Sequence, residues 1–130
     1  MTSNRFPLRL LAGRYAVCRL PPDDPWPDWP EGGLCSLTRT AEELSVVCAE
    51  EAVPADAKAE RGWRAFQLVG PVPFATVGVL SGLTKPLAEA GIGVFVLSTF
   101  DTDYLLVKES SLQRATHVLA VAGYVVEAPR

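Results

Sequence analysis

The stretch that decides the fold is GIGVFVLSTFDTDYLLV, residues 91–107. Its first part, Ile92 to Thr99, is β-branched, aromatic and short, which is typical of a buried strand. Phe100 to Asp103 supplies a polar turn, and Tyr104 to Val107 continues as a returning strand. The sequence therefore predicts two antiparallel strands joined by a short connection.

Helical patterns lie on both sides of these two strands. Apolar residues recur at helical spacing within residues 75–90, and Gly91 follows where a C-cap glycine belongs. A second apolar stripe runs from Leu112 to Ala122 and stops at Gly123. Further strands are predicted at 63–69 and 124–126. The order of the second half is β-α-β-β-α-β, the ferredoxin-like arrangement.

The first half of the chain looks like a shortened version of the same order. Strands are predicted at 8–11, 15–20, 34–39 and 44–48, and five prolines within residues 21–30 leave room for at most one helical turn. Residues 53–62 read as a polar linker. We therefore expect an α+β protein of two ferredoxin-like units, residues 1–60 (abbreviated, with the linker) and residues 61–130, with antiparallel sheets and helices on one face.

Composition excludes several classes of function. The chain of 130 residues is 48% hydrophobic and 21% charged, which is typical of globular proteins and not of disordered ones. Its 12 Lys and Arg against 15 Asp and Glu give a net charge of −3, so no nucleic acid or anionic membrane partner is expected. The single histidine, His117, excludes a His-rich metal site within one chain.

Cysteine usage and the N-terminus indicate the cellular compartment. Cys18, Cys35 and Cys48 are widely spaced and odd in number, which argues against a disulfide framework and favours small buried side chains in a reducing compartment. No apolar stretch approaches the ~20 residues of a membrane span. The first residues lack the apolar core of a secretory signal, so we expect a cytoplasmic protein.

Residues 91–107, together with the helix before them, resemble a signature of small stand-alone proteins with tandem ACT domains. These are similar to the paired regulatory ACT domains of aspartate kinases and to the cytosolic arginine sensors of animals. Residues 34–48 and 60–64 also match that family. The resemblance covers residues 8 to 127, and it implies two ACT units that bind an amino acid.

The resemblance also implies a ligand site. In the family, a strand edge and the loop before the first helix hold the α-carboxylate and α-ammonium groups of the ligand. The corresponding residues here are Val77 and Gly78, which follow the loop of residues 71–74. The strand and turn contribute Ser98, Thr99, Phe100, Thr102 and Asp103, and the first unit contributes Ser36 and Thr38. Pro71-Val72-Pro73 stands where many ACT domains carry Asp or Asn, which assigns ammonium recognition to Asp103 or to backbone carbonyls.

This resemblance implies a regulatory module that binds a small molecule and signals to an unidentified partner protein. It implies no catalysis and no cofactor, and a homodimer is expected because ACT units commonly associate. The altered loop leaves open a dimerisation or structural module without a ligand. A third interpretation is a metal-dependent transferase, because Asp101-Thr102-Asp103 has the D-x-D pattern that binds divalent metal in sugar-nucleotide transferases.

Overall fold

The computed structural model describes residues 6–129, which form two compact units. One unit comprises residues 13–63, and the other comprises residues 6–12 together with residues 64–129. The elements within the described residues are, in chain order, β1 (Leu8–Leu10), β2 (Tyr15–Leu20), β3 (Ser36–Arg39), β4 (Leu44–Ala49), a 3-10 helix (Glu50–Ala52), β5 (Lys58–Leu68), α1 (Val79–Glu89), β6 (Phe95–Ser98), β7 (Asp103–Lys108), a second 3-10 helix (Glu109–Ser111), α2 (Leu112–Val121) and β8 (Val126–Glu127).

The first strand of the chain lies in the unit that holds both helices. β1 pairs antiparallel with the end of β5, with Leu8 opposite Leu68, and pairs parallel with β8, with Leu8 opposite Val126. The division expected at residue 60 assigned this strand to the first unit. The difference arises because strand partners are set by pairing between distant residues, which local apolar patterning does not report.

The unit of residues 13–63 is built from β2, β3, β4 and the start of β5. β4 lies between β2 and β3, and all of these pairings are antiparallel. No α-helix occurs among residues 13–63, all of which the structure describes, so the helical turn allowed in the proline-rich stretch is absent. The side chains buried together in this unit are Ala16, Cys18, Leu44, Val46, Cys48 and Val53.

Two of the three cysteines behave as predicted. Cys18 and Cys48 are buried in this core, whereas Cys35 is exposed, so the prediction of burial was wrong for Cys35. Burial raises the pKa of the Cys48 thiol to about 11 and also raises the pKa of Cys18 above its ordinary value. Both buried thiols therefore stay protonated and unreactive near neutral pH.

β5 begins earlier than the sequence pattern predicted. The expected linker through Gly62 ends at Ala57, because Lys58 already pairs with Arg19 of β2. The register then shifts at a β-bulge beside Gly62, which has a positive φ of 80° and donates its N–H to Glu50 Oε1 at 2.7 Å. This irregularity interrupts the apolar alternation by which strands are recognised.

The unit of residues 6–12 and 64–129 confirms the predicted β-α-β-β-α-β order as β5-α1-β6-β7-α2-β8. β7 pairs with both β5 and β6. The first helix begins at Val79 and not at Ala75, because Gly78 adopts a left-handed conformation with φ 81° and residues 71–78 form a loop. The α+β, ferredoxin-like prediction is thereby confirmed.

One hydrophobic core joins both helices to the strands of this unit. Leu83 and Leu87 of α1 pack with Ala115 and Leu119 of α2, and strand residues complete the cluster, namely Leu8, Phe66, Leu68, Leu105 and Val107. Burying each large apolar side chain stabilises the fold by about 1.5–3 kcal/mol. This core holds α1 against the strands and so fixes where the helix begins. None of the helices within residues 6–129 is long and apolar enough to cross a membrane.

Candidate functional site

The connection between β6 and β7, residues 99–102, is a turn closed by its own two threonines; we call it the β6–β7 turn. The N–H of Thr99 donates to the carbonyl of Thr102 at 2.8 Å, and the Thr99 hydroxyl donates to the same carbonyl at 3.1 Å. In return, the N–H of Thr102 donates to Thr99 Oγ1 at 3.3 Å. These bonds give the N–H groups of Thr99 and Thr102 their acceptors and close the turn.

The β6–β7 turn is fastened to the end of β5 and to the loop that follows. The buried Thr102 hydroxyl donates to the carbonyl of Leu68 at 2.5 Å, and the N–H of Val72 donates to the carbonyl of Asp101 at 2.7 Å. A Cβ atom on Gly70 would lie 2.7 Å from the Val72 nitrogen and 3.2 Å from the Asp101 oxygen. Only glycine fits this close approach, which sets the distance between the loop and the turn.

Asp103 is the first residue of β7 and stands directly opposite Ser98, the last residue of β6. The Ser98 hydroxyl donates to Asp103 Oδ1 at 2.5 Å, and the Asp103 side chain is half-buried. A hydroxyl donated to a carboxylate is a charge-assisted hydrogen bond, which orients the acceptor. The strand pairing and this hydrogen bond therefore fix the position of the Asp103 carboxylate.

The start of α1 and this carboxylate border the same cavity. Gly78 is the N-cap residue, and no side chain caps the helix there. The first N–H groups of an α-helix have no acceptor within the helix, and the helix dipole makes this end favourable for a negative charge. The first turn of α1 thus presents hydrogen-bond donors without a side-chain acceptor from the N-cap position.

A cavity of about 400 Å³ is bounded by the loop, the start of α1 and the β6–β7 turn, and we call it the β6–β7 cavity. Its lining residues are Val72, Pro73, Phe74, Thr76, Gly78, Val79, Leu80, Ser81, Ser98, Thr99, Phe100, Thr102 and Asp103. The cavity thus brings a carboxylate, several hydroxyls and a helix N-terminus together with an apolar wall.

Two exposed phenylalanines belong to the same cavity. Phe74 comes from the loop and Phe100 from the β6–β7 turn, and their ring centroids are 4.9 Å apart in an edge-to-face arrangement. Their side chains are 76% and 79% exposed, respectively. The pair connects the two walls of the cavity while leaving most of its aromatic surface in contact with water.

Metal binding is the remaining chemistry suggested by Asp101 and Asp103. Among residues 6–129, no group of three or more His, Cys, Asp or Glu side chains is close enough to hold a metal ion. Asp101 is exposed, and its backbone carbonyl contributes the bond to Val72.

Comparison with known proteins identifies the family. The family model of the ACT domain matches residues 58–120, and a second model, which describes an N-terminal domain, matches residues 13–56. The chain contains an ACT domain. The ACT match covers the end of the smaller unit and most of the helical one, including all residues of the β6–β7 cavity.

Relatives of this ACT-domain chain include proteins of different kinds. A protein of Agrobacterium tumefaciens with a solved crystal structure is 38% identical, with a TM-score of 0.91 over 98% of this chain and 96% of that one. The bovine cytosolic arginine sensor for mTORC1 subunit 1 is 34% identical over 65% of this chain and 29% of its own length. The chain thus spans less than a third of this curated relative.

The fold is also that of regulatory domains of aspartate kinases. The regulatory subunit of aspartate kinase from Thermus thermophilus has a TM-score of 0.59 at 11% identity, over 88% of this chain and 94% of that one. At this identity the likeness concerns the ACT fold alone.

The structure brings six of the nine site residues implied by the ACT resemblance together at one cavity. Six of the residues named from the sequence line the β6–β7 cavity, namely Gly78, Ser98, Thr99, Phe100, Thr102 and Asp103. Val77 is adjacent in sequence but is 94% exposed and does not line the cavity. Ser36 and Thr38 lie on β3 of the other unit and are not among its lining residues.

Sequence reasoning missed the lining residues at the helix start, Thr76, Val79, Leu80 and Ser81. The apolar stripe suggested that the helix already begins at Ala75, which would put these residues inside it. The signal that could have placed the helix start correctly is Gly78, since glycine is favoured where a positive φ is required.

Proposed function

We propose that the β6–β7 cavity binds a free amino acid and that its occupancy regulates a partner protein. The observation that carries the proposal is the presence, in one cavity, of an oriented carboxylate at Asp103 and an uncapped helix N-terminus at Gly78. An α-amino acid carries the two complementary charges on groups bonded to the same α-carbon. Its ammonium and carboxylate groups can therefore be held by these two features.

The chemistry of each contact follows from its partner. The α-carboxylate accepts hydrogen bonds from the first backbone N–H groups of α1, where the helix dipole also favours negative charge. The α-ammonium donates to Asp103, which is oriented by Ser98. The loop of residues 71–78 contains no carboxylate, so the acidic partner for the ammonium is supplied by β7.

Two relatives whose names state a sensory or regulatory role support an amino acid as the ligand. A protein named as a cytosolic arginine sensor shares 34% identity with this chain, and the fold is that of a regulatory subunit of aspartate kinase. For this chain we accordingly propose a cytoplasmic, non-catalytic role in which an amino acid is bound and released unchanged.

Regulation requires that binding change the relative stability of two conformations. The ligand joins the start of α1 to the β6–β7 turn and so favours the conformation in which these segments are closest. The shift can be no larger than the difference in ligand affinity between the two conformations. A second protein that recognises one of them then responds to the amino acid, and we propose that the module acts as a homodimer on such a partner.

The alternative is an ACT module that only dimerises or supports another protein. The proline-rich loop of residues 71–73 favours this alternative, because it lacks the Asp or Asn expected before the first helix. The metal-dependent transferase remains a third proposal, and it requires Mn²⁺ or Mg²⁺ to bind at Asp101 and Asp103.

A thermal-shift screen of the standard amino acids distinguishes the first two proposals. A ligand present at about 100 times its Kd stabilises the folded state by roughly 2.7 kcal/mol, which raises the melting temperature measurably. At least one amino acid is expected to do so for the wild-type protein and not for Asp103→Ala. Asp101→Ala is the matched control, since Asp101 lies in the same turn with an exposed side chain. If no amino acid raises the melting temperature, the sensor proposal is wrong and the structural alternative gains support. Stabilisation by Mn²⁺ or Mg²⁺ that is lost in Asp103→Asn would favour the transferase.

A further inference from the structure

The apolar wall of the β6–β7 cavity indicates which kind of side chain the ligand has. We propose that this cavity selects an α-amino acid with a large, uncharged, apolar side chain and that Phe74 and Phe100 determine this preference. The inference rests on the proposed binding of an amino acid and adds its chemical class.

The charges of the cavity argue against a charged side chain on the ligand. Asp103 is the one ionisable side chain among the described residues that line it. The α-ammonium of the ligand already neutralises this carboxylate. A cationic side chain would bring a second positive charge with no second carboxylate to pair it, and an acidic side chain would repel Asp103.

The apolar side of the cavity is anchored in the core. Val72, Val79 and Leu80 line the cavity and also pack against the hydrophobic cluster that joins α1 and α2 to the strands. Because this wall is held by the core, it offers a preformed apolar surface, and such surfaces favour ligand groups that gain by leaving water.

The two phenylalanines complete this surface on the solvent side. Both line the cavity, contact each other, and are more than three-quarters exposed. Aromatic side chains offer a large apolar area, and covering that area with an apolar group of the ligand is favourable. A ligand with a long apolar side chain covers both rings, whereas alanine, which has the same α-groups, is too short to reach them.

Isothermal titration calorimetry with norleucine, lysine and alanine tests the inference. Norleucine and lysine have side chains of similar length that differ by the terminal ammonium, and alanine isolates the contribution of the α-groups. The titrations use the wild-type protein, Phe74→Ala and Phe100→Ala. Val121→Ala is the control, because Val121 is 75% exposed and lies on α2 away from the cavity.

Norleucine is expected to bind at least about tenfold more tightly than lysine and than alanine. Phe74→Ala and Phe100→Ala are expected to remove most of this advantage without changing the affinity for alanine, and Val121→Ala is expected to leave all affinities unchanged. Lysine binding as tightly as norleucine overturns the inference while leaving the proposed function intact. An equal loss of norleucine and alanine affinity in the phenylalanine variants also overturns it. If none of these amino acids binds, and none in the thermal-shift screen raises the melting temperature, the proposed function itself is overturned.

Discussion

The hydrogen bond from Thr102 to Leu68 is one of two that attach the β6–β7 turn to its neighbours, and replacing Thr102 by valine tests its importance. Valine has nearly the same shape as threonine, with a methyl group in place of the hydroxyl. Leu8 stands opposite Leu68, but its N–H donates to the carbonyl of Val125. It therefore does not donate to the Leu68 carbonyl. In Thr102→Val, this carbonyl loses its hydroxyl donor in a fully buried place, because Leu68 is 0% exposed.

The expected cost is that of leaving a buried acceptor without this partner, about 1–3 kcal/mol of the free energy of unfolding. For a chain of 130 residues, this corresponds to a fall in the melting temperature of roughly 4–11 °C. Urea denaturation followed by circular dichroism measures the free energy directly. Thr102→Ser is the matched variant: it keeps the hydroxyl and loses one methyl group, so it is expected to retain more stability than Thr102→Val.

The variants also test whether the turn positions the cavity. Thr102→Val is expected to weaken amino-acid binding beyond its effect on stability, since the turn carries Phe100 and precedes Asp103. A Thr102→Val protein as stable as the wild type, or less affected than Thr102→Ser, would refute the role assigned to this hydrogen bond.

Three further predictions concern the cysteines and the loop. Between pH 9 and pH 11 the unfolded chain loses the Cys48 proton while the folded protein retains it, so the free energy of unfolding falls as the pH rises. In Cys48→Ala, the free energy of unfolding measured by urea denaturation should fall less steeply with pH. The same dependence on pH in both proteins would contradict the raised pKa of Cys48. A thiol reagent should label exposed Cys35 in the native protein but Cys18 and Cys48 only after unfolding, as peptide mass spectrometry can show. Gly70→Ala should lower the free energy of unfolding by about 1–3 kcal/mol, because its Cβ lies 2.7 Å from a backbone nitrogen, whereas Gly93→Ala, with open space around its Cβ, should change it little.

The sequence patterns that could be recognised were those with a regular period. The stripes that became α1 and α2 repeat at helical spacing, and the run from Ile92 to Val107 contains strand-forming residues around a polar turn. The boundaries were less accurate where one residue overrides the pattern. Gly78 delays the first helix, and the bulge at Gly62 conceals the start of β5.

The candidate site could be predicted from the sequence only in part, because a cavity is formed by contacts between residues that are distant in sequence. Asp103 and Ser98 could be named because they lie in residues 91–107, the stretch that carries the ACT resemblance. Val79 and Leu80 could not, since their role depends on where α1 begins and on the core that holds it against the strands. The pairing of Phe74 with Phe100 likewise follows from the contact between the loop and the turn.

The most direct test of the account is a calorimetric titration of the wild-type protein, Asp103→Ala and Asp101→Ala with the amino acid that gives the largest thermal shift. The wild-type protein and Asp101→Ala are expected to bind it with the same affinity. Asp103→Ala is expected to bind it about tenfold to a hundredfold more weakly, which is the cost of one lost charge-assisted hydrogen bond. Unchanged affinity in Asp103→Ala, with its fold intact by circular dichroism, would contradict the assignment of the ammonium site to Asp103.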